Sequence, residues 1–153
     1  MTTVRCCVIV LVAALLGGCV TRPSARVENA EVTGTTDEAM MLACTIIASN
    51  SGEIELPLRM VDYTLEIDGR RVFRGRRSAE ATLSSQSDHR IELPLSVPWA
   101  DVPEGEVEFR VRGRLGYTLP GIFLEAMYDA RLYRPTVGFE YEGTLDGTAI
   151  RGG

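Results

Sequence analysis

The amino-acid sequence predicts an all-β protein: an Ig/fibronectin III-like antiparallel β-sandwich with at most one or two short helical turns. Three observations carry this. Apolar and polar residues alternate with a period of two in several stretches, clearest at 61–67, 91–97 and 107–111, as they must in strands with one buried face. Turn signals such as Asp68-Gly69 and Pro103-Glu104-Gly105 separate these stretches. No long segment repeats at the helical period. Short strands punctuated by turns, with little helix, favour two sheets packed face to face.

The chain starts as an address. Arg5 precedes an uninterrupted apolar run of 11 residues, Cys6 to Leu16, which is too short to span a bilayer and suits a signal-peptide core. Leu16-Gly17-Gly18-Cys19 follows. A Leu three places before a Cys, with small residues between, resembles the bacterial lipobox, in which cleavage falls just before the Cys and its thiol is acylated. An ordinary secretory signal with an incidental Cys, or an uncleaved anchor, is the plainer alternative. On the lipobox reading, 1–18 is a lipoprotein signal peptide, 19–25 the lipidated Cys19 and a tether, 26–145 the sandwich domain and 146–153 a flexible tail. Removing the first 18 of 153 residues leaves 135, enough for one domain with an adequate core. Lipoproteins of this type carry more than one acyl chain, and at about 0.8 kcal/mol per buried methylene two chains anchor stably where one does not. Val20, not Asp, follows Cys19, which in the enterobacterial sorting scheme favours the outer membrane.

The strands follow in order. Residues 27–32 give a weak first strand and 39–48 a strongly apolar second one. Cys6 and Cys7 leave with the leader and Cys19 takes lipid, so Cys44 is the one thiol left; in phase with Met40, Leu42 and Ile46, it reads as a small buried apolar residue and not a reactive group. Val61, Tyr63, Leu65 and Ile67 then face the core. Asp68-Gly69 predicts a type I′ hairpin turn, since both central positions need positive φ. With that turn Leu65 faces Val72 on the inner side, Glu66 faces Arg71 on the outer, and Gly75 closes a short return strand. Residues 83–88 read as a polar turn. Ile91, Leu93, Leu95 and Val97 follow, with Pro94 marking an edge strand because it cannot donate to a ladder. Trp99-Ala100-Asp101-Val102 fits one helical turn. Val107, Phe109, Val111, Leu115 and Tyr117 point inward, while Glu106, Glu108, Arg110, Arg112 and Arg114 point outward. Gly113 interrupts that inner face as a candidate bulge. Residues 121–134 fit either a helix with a stripe of Phe123, Met127 and Ala130, or a strand over 128–133. Phe139 and Tyr141, flanked by Glu140 and Glu142, read as a last strand closed by Gly143, and 144–153 as a frayed tail.

Asn50, Leu56-Pro57-Leu58, Asp62-Tyr63, Asp68-Gly69 and Gly75 together resemble the WHy domain, the water-stress and hypersensitive-response domain of type 2 late-embryogenesis-abundant proteins, which also occurs in bacterial lipoproteins. That family's usual Asn-Pro-Asn is Ser49-Asn50-Ser51 here, and Gly52-Glu53-Ile54-Glu55 separates it from Leu-Pro-Leu. The resemblance covers residues 27–111. It implies a sandwich with little helix and supports fold more than activity, because the matching positions are turn and strand residues.

No constellation argues for catalysis. Ser84, Ser85, Ser87, Asp88 and His89 contain the residue types of a triad, but adjacency in sequence is not triad geometry, and His89 is the chain's sole His. Asp101 with Glu104, or Glu106 with Glu108, read as solvated faces. Paired His or Cys ligands for zinc are lacking, as is a Gly-rich phosphate loop before a helix. No catalytic residue, metal or cofactor is therefore expected, and no small-molecule substrate. Arg70, Arg71, Arg74, Arg76 and Arg77 cluster at and after the hairpin tip. They read either as a contact for a partner or for anionic headgroups near the anchor, or as a solvated tip paired with nearby carboxylates. Without the leader the chain has 15 Arg and no Lys against 21 acidic residues, a net of −6, which excludes nucleic acid as a natural partner.

The expected function is that of a membrane-anchored, non-catalytic lipoprotein of the bacterial cell envelope, held through its N-terminal lipid. By resemblance it protects envelope or client proteins under desiccation, freezing or osmotic stress. The alternative is an Ig-like interaction module of an envelope complex, acting through strand addition at an open edge or through residues 119–133.

Overall fold

The computed structural model describes residues 22–151. The apolar run 6–16, Cys19 and Val20 lie outside the described residues. Eight strands occur in the described chain: β1 (Ser24–Thr35), β2 (Ala39–Asn50), β3 (Leu56–Ile67), β4 (Arg70–Ser78), β5 (Thr82–Leu83), β6 (Ser87–Pro98), β7 (Glu106–Tyr117) and β8 (Thr136–Asp146). Trp99–Asp101 forms a 3-10 turn, and two short helices, α1 (Ile122–Asp129) and α2 (Gly147–Arg151), complete the described elements. One sheet has the order β1-β2-β6 and the other β4-β3-β7-β8, with β5 pairing to the start of β3; all pairings are antiparallel.

The sandwich follows from the alternation. Ile91, Leu93, Leu95 and Val97 of β6 face Val61, Tyr63, Leu65 and Ile67 of β3 and Val107, Phe109, Val111 and Leu115 of β7 in one core, with Met40, Leu42, Cys44 and Ile46 of β2. Each fully buried aliphatic or aromatic side chain contributes roughly 1.5–3 kcal/mol relative to exposure. Leu83 is also fully buried, so the expected polar turn at 83–88 is confined to 84–86, and Ser87 and Asp88 belong to β6.

Asp68 and Gly69 have φ of 48° and 75°, as a type I′ turn requires. Glu66 pairs with Arg71 as expected, but Leu65 pairs with Phe73 and not Val72, because Val72 is an extra residue in β4. Nor does Gly75 close the strand: β4 continues to Ser78. Gly75 sits opposite Tyr63, and a Cβ there would lie 2.5 Å from the Tyr63 ring. Gly143 likewise lies within β8, under the Phe109 ring opposite it, and Gly113 lies under the Phe139 ring. Gly75, Tyr63, Gly113 and Phe139 thus form one row across four strands. Gly113 is not a bulge; the β3–β7 register shifts instead between Leu58 and Val61, where Arg59 and Met60 together oppose Gly116.

Residues 121–134 take the helical alternative. The half-buried positions of α1 are Leu124, Met127 and Tyr128, while Phe123 and Ala130 of the expected stripe are exposed. As far as Arg151 the tail is not frayed either. β8 runs to Asp146, whose carboxylate accepts the N–H groups of Thr148 (2.9 Å) and Ala149 (3.1 Å) and so caps α2. Arg151 then donates to the carbonyls of Trp99 (3.1 Å) and Val102 (3.2 Å), with its guanidinium 5.1 Å from the Trp99 ring centre.

The strand directions give the sandwich two distinct ends. β1, β3, β6 and β8 begin at what is here termed the near end, where β2, β4 and β7 finish. The 12 residues of β3, rising about 3.3 Å each, set the far end, with its Asp68-Gly69 turn, roughly 36 Å away.

Candidate interaction surfaces

The outward face of the larger sheet is a lattice of charge. Three rows cross it: Arg71, Glu66, Arg110 and Glu142; Arg74, Thr64, Arg112 and Glu140; Arg76, Asp62, Arg114 and Gly138. Strand alternation puts every one of these side chains outside, and antiparallel register puts Arg beside carboxylate. Arg112 meets Glu66 at 2.7 Å, Arg76 meets Asp62 at 3.2 Å and Arg110 meets both Glu140 (3.4 Å) and Glu142. Most of these groups are largely exposed, so each pair contributes at most about 1 kcal/mol. The lattice is a hydrated surface more than a fastening. Gly138 leaves a gap in it, and Arg71, Arg74, Arg112 and Arg114 line a shallow open groove there of about 670 Å³.

The five arginines singled out from the sequence are not one patch. Arg70 pairs with Asp101 at 3.0 Å, Arg76 with Asp62, and Arg77 donates to the Glu92 carbonyl at 3.0 Å. Among the described residues Arg71 and Arg74 have no carboxylate within 4 Å. Arg70 and Arg71 stand at the far end, a strand length from where β1 begins.

Sequence reasoning missed three arrangements. Asn50, 3% exposed, is a hub: its Nδ2 points at the carbonyls of Ile54 (2.8 Å) and Ser84 (3.0 Å), and its Oδ1 accepts the Gly52 N–H at 3.0 Å. It ties the β2–β3 connection to the end of β5. Second, the edge strand β6 has two carbonyls taken by side chains of the other sheet, Glu92 by Arg77 and Pro94 by the Tyr63 hydroxyl (2.8 Å). That removes part of the edge from strand addition. Third, Arg59 and Arg134 lie over the Tyr128 ring at 5.2 and 5.1 Å, and Arg59 Nε donates at 2.7 Å to the buried Thr118 hydroxyl. The cation–ring contacts hold α1 against the near end. Apart from Gly52 and Ile54 around Asn50, and Arg134 near Tyr128, the partners are distant in sequence, although Asn50 was marked by its place in the motif.

The triad residue types do not assemble. Ser87 donates to the Ser84 carbonyl at 2.8 Å, and among the described residues no hydrogen bond joins His89 to a Ser or an Asp. No group of three or more His, Cys, Asp or Glu gathers there to hold a metal, and no described helix is long and apolar enough to cross a membrane. Burial pushes the Cys44 thiol up to about 11. The Tyr63 phenol is raised first by burial, against a pull from Arg77.

The fold and these surfaces define a small antiparallel sandwich with one broad face of interleaved arginines and carboxylates. The chain belongs to the late embryogenesis abundant protein family, type 2, whose family model matches residues 45–127. No curated protein matches the sequence. Among solved structures, a protein from Arabidopsis thaliana is similar with a TM-score of 0.65 at 12% identity, over 84% of this chain and 83% of that one. A protein described as late embryogenesis abundant has a TM-score of 0.63 at 13% identity, over 94% and 83%. A protein from Archaeoglobus fulgidus has 0.52 at 15%, over 78% and 98%. These likenesses concern the fold.

Proposed function

We propose that the chain is a membrane-tethered, non-catalytic stress protein of the WHy form, protecting envelope or client proteins during drying, freezing or osmotic stress. The observation that carries this reading is the outward lattice of Arg and carboxylate on β4, β3, β7 and β8. Six arginines interleaved with four carboxylates keep this face hydrated and let it make many weak contacts with another protein's surface. Cys19 would carry the lipid, with 1–18 removed as a signal peptide. The sandwich would then work from the bacterial envelope, with Val20 favouring the outer membrane.

The test uses the chain from Val20 onward, which carries every described residue, added to a freeze-labile enzyme through freeze–thaw cycles beside an equal mass of inert protein. Protection above the control that saturates with dose is the expected result. Equal loss of enzyme in both would remove the protective reading.

A further inference from the structure

Exposed apolar side chains are distributed unevenly over the sandwich. Of the seven large ones among the described residues, five belong to connections at the near end: Ile54 between β2 and β3, and Ile122, Phe123, Leu132 and Tyr133 between β7 and β8. The other two, Val32 and Met41, stand on β1 and β2 beside the far end; the turns of the far end carry no exposed large apolar side chain among the described residues, but Asp37, Glu38, Asp68, Asp101 and Glu104. Ile122 is 90% exposed and Phe123 and Leu132 75% each. Leaving several such side chains in water at one place marks an interaction surface.

The chain enters the sandwich at this same end. Ser24 opens β1 opposite Ser49, and Pro23 before it is buried. Arg22 lies close enough to the Tyr117 phenol to pull it down, while burial, first, and Tyr133 push it up. Cys19 stands five residues before Ser24, a reach of at most about 18 Å even fully extended.

We propose that the near end is a membrane-resting face: Ile54, Ile122, Phe123, Leu132 and Tyr133 sit in the interfacial layer of a bilayer, and the acidic far end points away from it. This rests on the reading of Cys19 as the lipid-bearing residue, and supplies what the lipid alone lacks, a fixed orientation. Glu53, Glu55, Glu125 and Asp129 share this end with Arg131 and Arg134, so the contact is apolar and not a matter of charge attraction. It needs no anionic lipid and resists salt.

The test uses the full chain reconstituted in phosphatidylcholine vesicles with brominated acyl chains. Trp99, the single Trp, lies at the far end. In the native chain its emission is expected to be unquenched. Phe123→Trp, at a position three-quarters exposed, leaves the fold undisturbed and adds a second emitter; that added emission is expected to be blue-shifted, quenched several-fold by the bromines and unchanged at high salt. A chain that floats with the vesicles while the added Trp stays unquenched and red-shifted overturns the face but not the anchor. A blue shift without bromine quenching assigns the patch to a protein or a second copy, and overturns it too. A chain that does not float with the vesicles overturns the anchored reading and the face with it.

Discussion

The Tyr63 hydroxyl on β3 donates to the Pro94 carbonyl on β6 at 2.8 Å, so a single side chain joins the two sheets through a hydrogen bond. Its ring meanwhile fills the space left by Gly75 on β4, packing 5.8 Å from Phe73 centre to centre. Tyr63→Phe keeps the ring and deletes the bond. Stability is expected to fall by about 1 kcal/mol, read as a lower urea midpoint with an unchanged slope. A loss of the size seen for ring deletion would mean that the phenol orders more than this one contact.

Gly113 lies beneath the Phe139 ring, and a Cβ added to it would also come within 2.6 Å of the Asp62 carbonyl. Gly113→Ala is expected to destabilise by roughly 1–3 kcal/mol through overpacking. Adding Phe139→Leu should return part of that loss, and the two changes should couple in a double-mutant cycle. Additive losses would show that the ring is not the obstacle.

Asn50 satisfies two carbonyls and one N–H in a buried turn. Asn50→Leu leaves all three without their partner and is expected to lower stability by about 2–3 kcal/mol. Amide hydrogen exchange should quicken first at 51–56 and 82–86. Uniform quickening over the whole chain would instead place Asn50 in the global core.

Cys44 gives the fold an alkaline limit. Burial raises its thiol from an ordinary value near 9 to about 11, and Tyr63 and Tyr117 move in the same direction for the same reason. The fold favours the protonated thiol, so its contribution is whole below about 9 and is lost as pH rises through about 11. Urea midpoints should decline across that window, and less steeply in Cys44→Ala. Below it, Cys44 should resist thiol reagents until the chain is unfolded.

Charge reversal at Arg74 and Arg76 tests the older expectation of a basic lipid contact. These side chains lie on the lattice face and not at the near end, and Arg76 already has Asp62 at 3.2 Å. Arg74→Glu with Arg76→Glu is expected to leave membrane retention of the full chain unchanged in sedimentation at low and high salt, and stability within about 1 kcal/mol. Release from the membrane at low salt would restore the arginines as the contact.

β3 and β6 were legible because each buries one face, so Tyr63 and Ile67, or Leu93 and Val97, declare it by alternation alone. Gly75 and Gly143 were read as stops because a lone Gly in a strand looks like a break. What keeps those strands going is a ring on the neighbouring strand, at Tyr63 and Phe109, which no local pattern reveals. Arg151 looked like part of a loose tail because its acceptors, Trp99 and Val102, lie about fifty residues away. The arginine run left two readings open, a contact or a tip paired with carboxylates, and the pairs with Asp101 and Asp62 agree with the second. Its members are neighbours in sequence, but Asp101, Asp62 and the Glu92 carbonyl divide them. Cys19 was legible only as an address and lies outside the described residues.

The treatment of the sheet edges acquires a further meaning if the chain acts while water is leaving. β1 carries extra residues at Glu28 and Thr33, β6 has Glu92 and Pro94 covered, and β4 bears five arginines. Dehydration concentrates every solute together, including the protective protein itself, and an exposed flat strand is then the first place where copies zip into fibrils. Bulges, covered carbonyls and the arginine-bearing edge would keep copies apart, so that as the solution thickens the sandwich would stay dispersed and not become one more seed of aggregation.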